Sequence, residues 1–194
     1  MIYLTRHGQT EWNREGRYQG KLDSPLTPHG EQQARRVGAL LASLIDAPGD
    51  WRLVTSPLGR ARRTAELIRD SLDGRVALDL DDRLAEISLG SWDGLSYDEV
   101  ESLTPDGLGR WERYFHSPDG ETYDALAARV ADWLAQVSGS VRLIVVSHGV
   151  TGRVLRGLYA GLTRDEMLKL DVPQDAVFRL VEGAIDRLDC AQVQ

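Results

Sequence analysis

The chain is poor in several things, and each shortage narrows what it can be. It has one cysteine in 194 residues, Cys190, so no disulfide can form within it, and that thiol sits near the C-terminus away from every motif. Its longest apolar runs are about six residues, against the roughly 20 that a helix needs to span a bilayer. No basic-then-apolar segment stands before the first strand-like stretch, so a cytoplasmic protein is expected. The four histidines have no close spacing with Cys, Asp or Glu, and no metal site is expected. Basic residues are outnumbered, 23 against 30 acidic, for a net charge of −7. Such a surface repels nucleic acid and anionic membranes, so neither is an expected partner. An anionic substrate would then need a local gathering of Arg and His within an acidic whole.

There is no repeat, no low-complexity tract and no linker. With 42% hydrophobic and 27% charged residues, the chain reads as one soluble domain over 1–194, able to bury roughly 70% of its unfolded surface. Strand-like and helix-like segments alternate. That implies an α/β fold, a three-layer α/β/α sandwich with a mostly parallel central sheet. Met1-Ile2-Tyr3-Leu4 opens as a strand, and a polar loop to Pro25 is expected after it. Thr27-Pro28 reads as a cap and first helical residue, followed by Ala34, Val37, Leu40, Leu41, Leu44 and Ile45 at helical spacing, with Pro48-Gly49 as the stop. Residues 51–55 form a strand, Ser56-Pro57 repeats the cap pattern before a helix to Leu72, and 76–78 is a weak strand. Residues 84–120 are irregular and rich in Gly, Pro and aromatics. A helix through Leu126, Val130, Trp133, Leu134 and Val137 follows, then a buried strand over 141–146 and a helix from near Gly149. A hairpin closes the chain, 176–181 and 184–188 about a Glu182-Gly183 turn, and its edge could pair with a second copy in a homodimer.

Three strand-to-helix junctions carry the polar chemistry: Thr5-Arg6-His7, Thr55-Ser56 with Arg60 beyond, and Ser147-His148-Gly149. Ligands of open α/β sheets bind beyond the carboxyl ends of the strands. If the three strands are parallel neighbours, one site receives Arg6, His7, Arg60 and His148, and the helix after Gly149 points its free N–H groups at an anion there. A nitrogen nucleophile beside fixed cations suits phosphoryl transfer. On spacing alone Arg62 and Arg63 compete with Arg60.

Six separated stretches in order resemble the histidine phosphatase superfamily, the phosphoglycerate mutase-like proteins. Arg6-His7-Gly8-Gln9-Thr10-Glu11-Trp12-Asn13 is similar to its Arg-His-Gly-Glu-Thr-x-x-Asn signature, with Gln9 in place of Glu. Arg17-Tyr18-Gln19-Gly20 with Asp23-Ser24-Pro25-Leu26-Thr27 and Gly30, then Ser56-Pro57-Leu58-Gly59-Arg60-Ala61 with Thr64-Ala65, resemble the next two. Leu84-Ala85-Glu86 with Gly90, Trp92 and Gly94, then Gly120-Glu121-Thr122, and finally Ser147-His148-Gly149 complete the set. The resemblance implies the phosphoglycerate mutase-like fold over the whole chain, with a lid-like insertion at about 84–122. It also singles out Arg60 by the match to Ser-x-x-x-Arg-Ala.

By position, the resemblance makes His7 the nucleophile of a phosphohistidine and Glu86 the general acid, later the base. Arg6, Arg60 and His148 hold the phosphoryl oxygens, Asn13 assists near His7, and Gln19, Gly20 and Gly149 belong to the substrate-binding set. Arginine charges should lower the His7 pKa, and a partly desolvated setting should raise that of Glu86. No cofactor is implied, since two guanidiniums can neutralise the charge that Mg²⁺ carries elsewhere. The expected partner is a small phosphate ester, and the expected reaction is metal-independent hydrolysis. The alternatives are mutase-type phosphotransfer and a non-catalytic phosphate-binding module. Glu86 and His148 are 148 − 86 = 62 positions apart, and the basic residues between them are Arg110, Arg113, His116, Arg129 and Arg142, few for a mutase that manages a bisphosphate. Read blandly, Asn13 caps a loop, His29 and His116 sit at the surface, and Trp92, Tyr97, Trp111, Tyr114, Phe115 and Tyr123 pack the irregular region onto the sheet. Trp92 and Trp111 could instead wall the leaving-group pocket.

Overall fold

A computed structural model describes residues 1–137 and 142–190. In chain order the elements are β1 (Ile2–Arg6), α1 (Glu11–Glu15), α2 (Pro28–Leu44), β2 (Arg52–Thr55), α3 (Gly59–Ser71), β3 (Ala77–Leu80), α4 (Tyr97–Leu103), α5 (Tyr123–Gln136), β4 (Leu143–Ser147), α6 (Gly149–Tyr159), α7 (Arg164–Lys169), β5 (Ala176–Val181) and β6 (Ala184–Asp189). Short 3₁₀ turns at Pro48–Asp50, Asp82–Leu84, Gly90–Trp92 and Glu112–Phe115 fill the connections.

The six strands make one sheet in the order β3-β2-β4-β1-β5-β6. The first four in that order run parallel, while β5 is antiparallel to β1 and β6 to β5. Alternation along the central strands sends Ile2, Leu4, Leu143 and Val145 to one face, against α5 and α6 through Leu126, Val130, Trp133 and Val154. Tyr3, Leu53, Ile144 and Val146 go to the other face, against α2 and α3 through Val37, Leu41, Ala65 and Ile68. Both faces are covered, so the central strands read as unbroken apolar runs and the layers are α/β/α. No described helix is long and apolar enough to cross a membrane.

Most expected elements are present, and the differences have physical reasons. Val141, the first residue of the expected 141–146 strand, lies outside the described residues, and β4 runs from Leu143 to Ser147. Within the expected polar loop, α1 is closed by a reciprocal box between Thr10 and Asn13 and stopped by left-handed Gly16 (φ 70°). Thr27 does cap α2, accepting from the Gly30 amide at 3.0 Å. Ser56-Pro57 does not cap α3, which starts two residues later after an uncapped Leu58. Instead Asp23, from a distant loop, accepts from the Arg60 amide at 3.1 Å. The final turn has positive φ at Glu182 and Gly183 (50° and 81°), the signature of a tight type I′ hairpin.

The loop leaving β1 packs directly on the first turn of α2. A Cβ on Gly8 would stand 2.2 Å from the Gly30 carbonyl oxygen, with backbone rather than a yielding side chain in the way. Gly8→Ala should therefore lower the urea midpoint, by a destabilisation of about 1–3 kcal/mol. An unchanged midpoint would show that the two loops do not meet this closely.

Candidate active site

Parallel in-register pairing sets the geometry. Arg6 lies opposite Ser147, and the His7 amide donates to the Ser147 carbonyl at 3.0 Å, so β1 and β4 end at the same height. The next residues, His7 and His148, stand with ring centroids 5.2 Å apart, and each residue is only 2% exposed. On the other side of β4, β2 leads to α3 and brings Arg60 to the same end of the sheet. Arg60 too is 2% exposed, whereas Arg62 and Arg63 lie on the exposed face of the helix. Its Nη1 donates to the Leu22 carbonyl (2.7 Å) and Asp23 (3.2 Å), and Nη2 to the Gly20 carbonyl (2.9 Å). Arg6 Nη1 donates to the Val172 carbonyl at 3.0 Å.

These bonds fix both guanidiniums yet leave polar atoms over. Arg6 Nε, Arg60 Nε and His148 Nδ1 are buried without a hydrogen-bond partner among the described residues. Each such atom costs about 1–3 kcal/mol when left unpaired, so three gathered at one strand end mark a place for an oxygen-rich anion. His7 contributes differently. Its Nδ1 lies 2.8 Å from the Gly8 carbonyl, which can only accept, so Nδ1 carries the proton and Nε2 keeps its lone pair. Burial, then the charges of Arg60 and Arg6, hold the His7 pKa well below its usual value. His148 is held low by burial first, then by Arg60, His7 and Arg6. For His7 the arginines named by the sequence are the second cause and desolvation the first.

Glu86 occupies the N-terminus of α6. One carboxylate oxygen accepts from the Val150 amide (3.1 Å); the other accepts from the Thr151 amide and hydroxyl (both 3.0 Å) and from its own Ile87 amide (3.1 Å). The group that meets this helix end is thus a side chain of the protein, where sequence reasoning placed the ligand. Arg129 braces the same loop: it donates to the Arg83 and Glu86 carbonyls and pairs with Glu121. Glu86 is nearly buried, as expected, but in a donor-rich setting.

A cavity of about 210 Å³ opens over Arg6, Glu86 and Gly149 and is walled by Gln9, Asn13, Tyr97, Arg110, Trp111, Tyr114 and Gln174. Asn13 lines it while also serving as the third residue of the α1 capping box. Gln19 and Gly20 do not line it: Gly20 offers its carbonyl to Arg60, and Gln19 packs beside it, 7% exposed. Trp92 is a core residue, 6% exposed, as are the surroundings of Phe115 and Tyr123, so the wall belongs to Tyr97, Trp111 and Tyr114. His29 and His116 are exposed. Sequence reasoning named Ser56 only as a helix cap and part of a polar junction, not as the partner of His148, and it did not name Thr151, which bonds Glu86, or Gln174, which donates to the His7 carbonyl and to Asn13. Their spacing carries no local signal, because each reaches a partner more than 60 residues away.

The sequence profile described as "Histidine phosphatase superfamily (branch 1)" matches residues 2–188. The chain belongs to that superfamily. Among relatives of this histidine phosphatase superfamily member, a protein of Salmonella arizonae called probable phosphoglycerate mutase GpmB is 38% identical over 204 residues, covering 100% of this chain and 86% of that one. The solved structure of Rv3214 from Mycobacterium tuberculosis superposes with a TM-score of 0.78 at 27% identity, over 97% of this chain and 95% of that one. A putative α-ribazole-5′-P phosphatase from Escherichia coli gives 0.77 at 25%, with the same coverage. The phosphoglycerate mutase-like fold is therefore shown, and the named relatives divide between mutase and phosphatase.

Two buried neutral imidazoles make stability depend on pH. Their folded pKa values lie below the unfolded value of about 6.5, so the native state binds fewer protons than the unfolded one in mildly acidic solution. The stabilisation is complete above about pH 6.5 and is lost as pH falls below it. The urea midpoint should drop between pH 7 and pH 5.5, and His148→Gln should flatten that slope. An equal slope in the variant would contradict the assignment.

Proposed function

We propose that the protein is a metal-independent phosphomonoesterase acting on a small, polar phosphorylated metabolite through a phosphohistidine on His7. The observation that carries this reading is the convergence of Arg6, Arg60, His7 and His148 on one buried strand end with three polar atoms left unpartnered. His7 Nε2 attacks phosphorus and the ester P–O bond breaks. Arg6, Arg60 and His148 donate to the non-bridging oxygens, where positioning and charge stabilisation supply most of the catalysis. Glu86, on the cavity wall, gives a proton to the leaving oxygen and then takes one from the water that cleaves the P–N bond.

Hydrolysis is favoured over phosphate return by the character of the cavity. A mutase working through a bisphosphate needs cations for a second phosphate. Here Arg113 pairs with Glu101, Arg129 with Glu121 and Arg142 with Asp46, and His116 is exposed. Only Arg110 joins Arg6 among the cations on the wall, held 4.5 Å from the centre of the Tyr97 ring. The amides of Gln9, Asn13 and Gln174 suit a hydroxylated leaving group. The segment 84–122 then acts as a wall over that group, within a single domain. Against this stands the mutase name of the relatives, which makes phosphotransfer the second reading.

His7→Ala should reduce p-nitrophenyl phosphate hydrolysis to a trace, and acid-quenched turnover with labelled substrate should leave label on His7. More than trace activity in the variant would end the covalent mechanism. With 3-phosphoglycerate, release of inorganic phosphate supports the esterase, whereas 2-phosphoglycerate without phosphate release supports the mutase. Activity should persist in excess chelator. Trp111→Ala should change the ranking of kcat/KM across a panel of phosphate esters, while Trp92→Ala should lower stability and leave the ranking unaltered.

A further inference from the structure

We propose that Ser56 is a positioning residue that fixes the ring tautomer of His148, so that the neutral imidazole turns an Nδ1–H toward the transferring phosphoryl group. The inference rests on the reading above that His148 holds a phosphoryl oxygen, and it explains how a neutral histidine can do so. A neutral imidazole has one N–H and one bare lone pair, and only the N–H can help an anion. The wrong tautomer would aim a lone pair at a phosphoryl oxygen.

The bonds around Ser56 choose between the two. Its hydroxyl is fully buried and stands 2.7 Å from His148 Nε2. The same oxygen already accepts the Leu58 amide at 3.2 Å. Among the described residues no other acceptor is recorded for the Ser56 proton. With the proton on Nε2, the serine oxygen would accept from both the Leu58 amide and the ring, its own O–H would be orphaned, and Nδ1 would be a buried acceptor without a donor. When Ser56 donates to Nε2, every polar atom of the pair is satisfied except Nδ1–H, a buried donor on a ring whose centroid lies 5.2 Å from that of His7. The two histidines thus share one tautomer imposed by opposite means. A carbonyl acceptor takes the His7 Nδ1 proton and frees Nε2 to attack, whereas a hydroxyl donor blocks His148 Nε2 and leaves Nδ1–H to bind. The failed helix cap at Ser56-Pro57 also acquires a reason: the hydroxyl is turned to the second histidine instead.

The test is the ¹⁵N spectrum of histidine-labelled protein at pH 7.5, with His148 assigned through the signals missing from His148→Asn. We expect a protonated, pyrrole-like Nδ1 and a bare, pyridine-like Nε2 in the unmutated protein. This measurement needs no serine variant. Ser56→Ala should move the proton toward Nε2 and weaken binding of inorganic phosphate about tenfold, while Ser56→Thr retains both properties. A proton on Nε2 of the unmutated protein, or a folded Ser56→Ala with unchanged tautomer and phosphate affinity, would overturn the role of Ser56. Phosphate that shifts neither His7 nor His148 would instead overturn the reading of the site on which it rests.

Discussion

The site depends on one constraint: β1 and β4 are parallel neighbours in register, joined by the His7 amide and the Ser147 carbonyl. A parallel pair ends both strands on the same edge, so residues 141 positions apart in the chain become adjacent rings. A slip of one residue would turn one imidazole into the layer of helices. The flanking strands extend the same logic. β2 lies beside β4 and starts the connection to Arg60, and β5 lies beside β1 and is preceded by Gln174. Covering both faces of the two central strands holds that register, since the side chains of β1 and β4 on either face are packed away from solvent.

Charge at the site is managed by distance as much as by contact. The N-termini of α3 and α6 are each met by a carboxylate from elsewhere in the chain: Asp23 on the Arg60 amide, Glu86 on the Val150 and Thr151 amides. The helix ends therefore engage carboxylates of the chain itself, while Arg6 Nε, Arg60 Nε and His148 Nδ1 keep no partner among the described residues. Burial lowers the proton affinity of both histidines and of both arginines. On the proposed reading, an acidic protein binds a dianion here through cations that are few and buried, with some of their donors already spent on backbone carbonyls.

Much of this was legible in the chain because it is written locally. The Thr27-Pro28 cap, the apolar alternation of the central strands and the Glu182-Gly183 turn need only their neighbours to take shape. The three polar junctions do meet at one end of the sheet, as the expected parallel pairing of their strands implied. What escaped was set by long-range partners or by very short elements. The five-residue α1 is held by an Asn13 box where Glu or Gln is the usual signal. Ser56 looks like a cap by local rule, and only the arrival of His148 from 92 positions away reassigns its hydroxyl. Likewise, nothing near Glu86 in sequence announces that α6 will supply its donors. Trp92 and Trp111 have similar surroundings in the sequence, yet one is core and the other cavity wall.

The central claim is that two imidazoles and two guanidiniums enclose a single PO₃ unit, and a crystal structure with orthovanadate tests it most directly. The account predicts one vanadium bonded to His7 Nε2, with Arg6, Arg60 and His148 each donating to its equatorial oxygens and Glu86 facing the apical oxygen. Vanadate held by only one of these side chains, or seated away from His7, would contradict it.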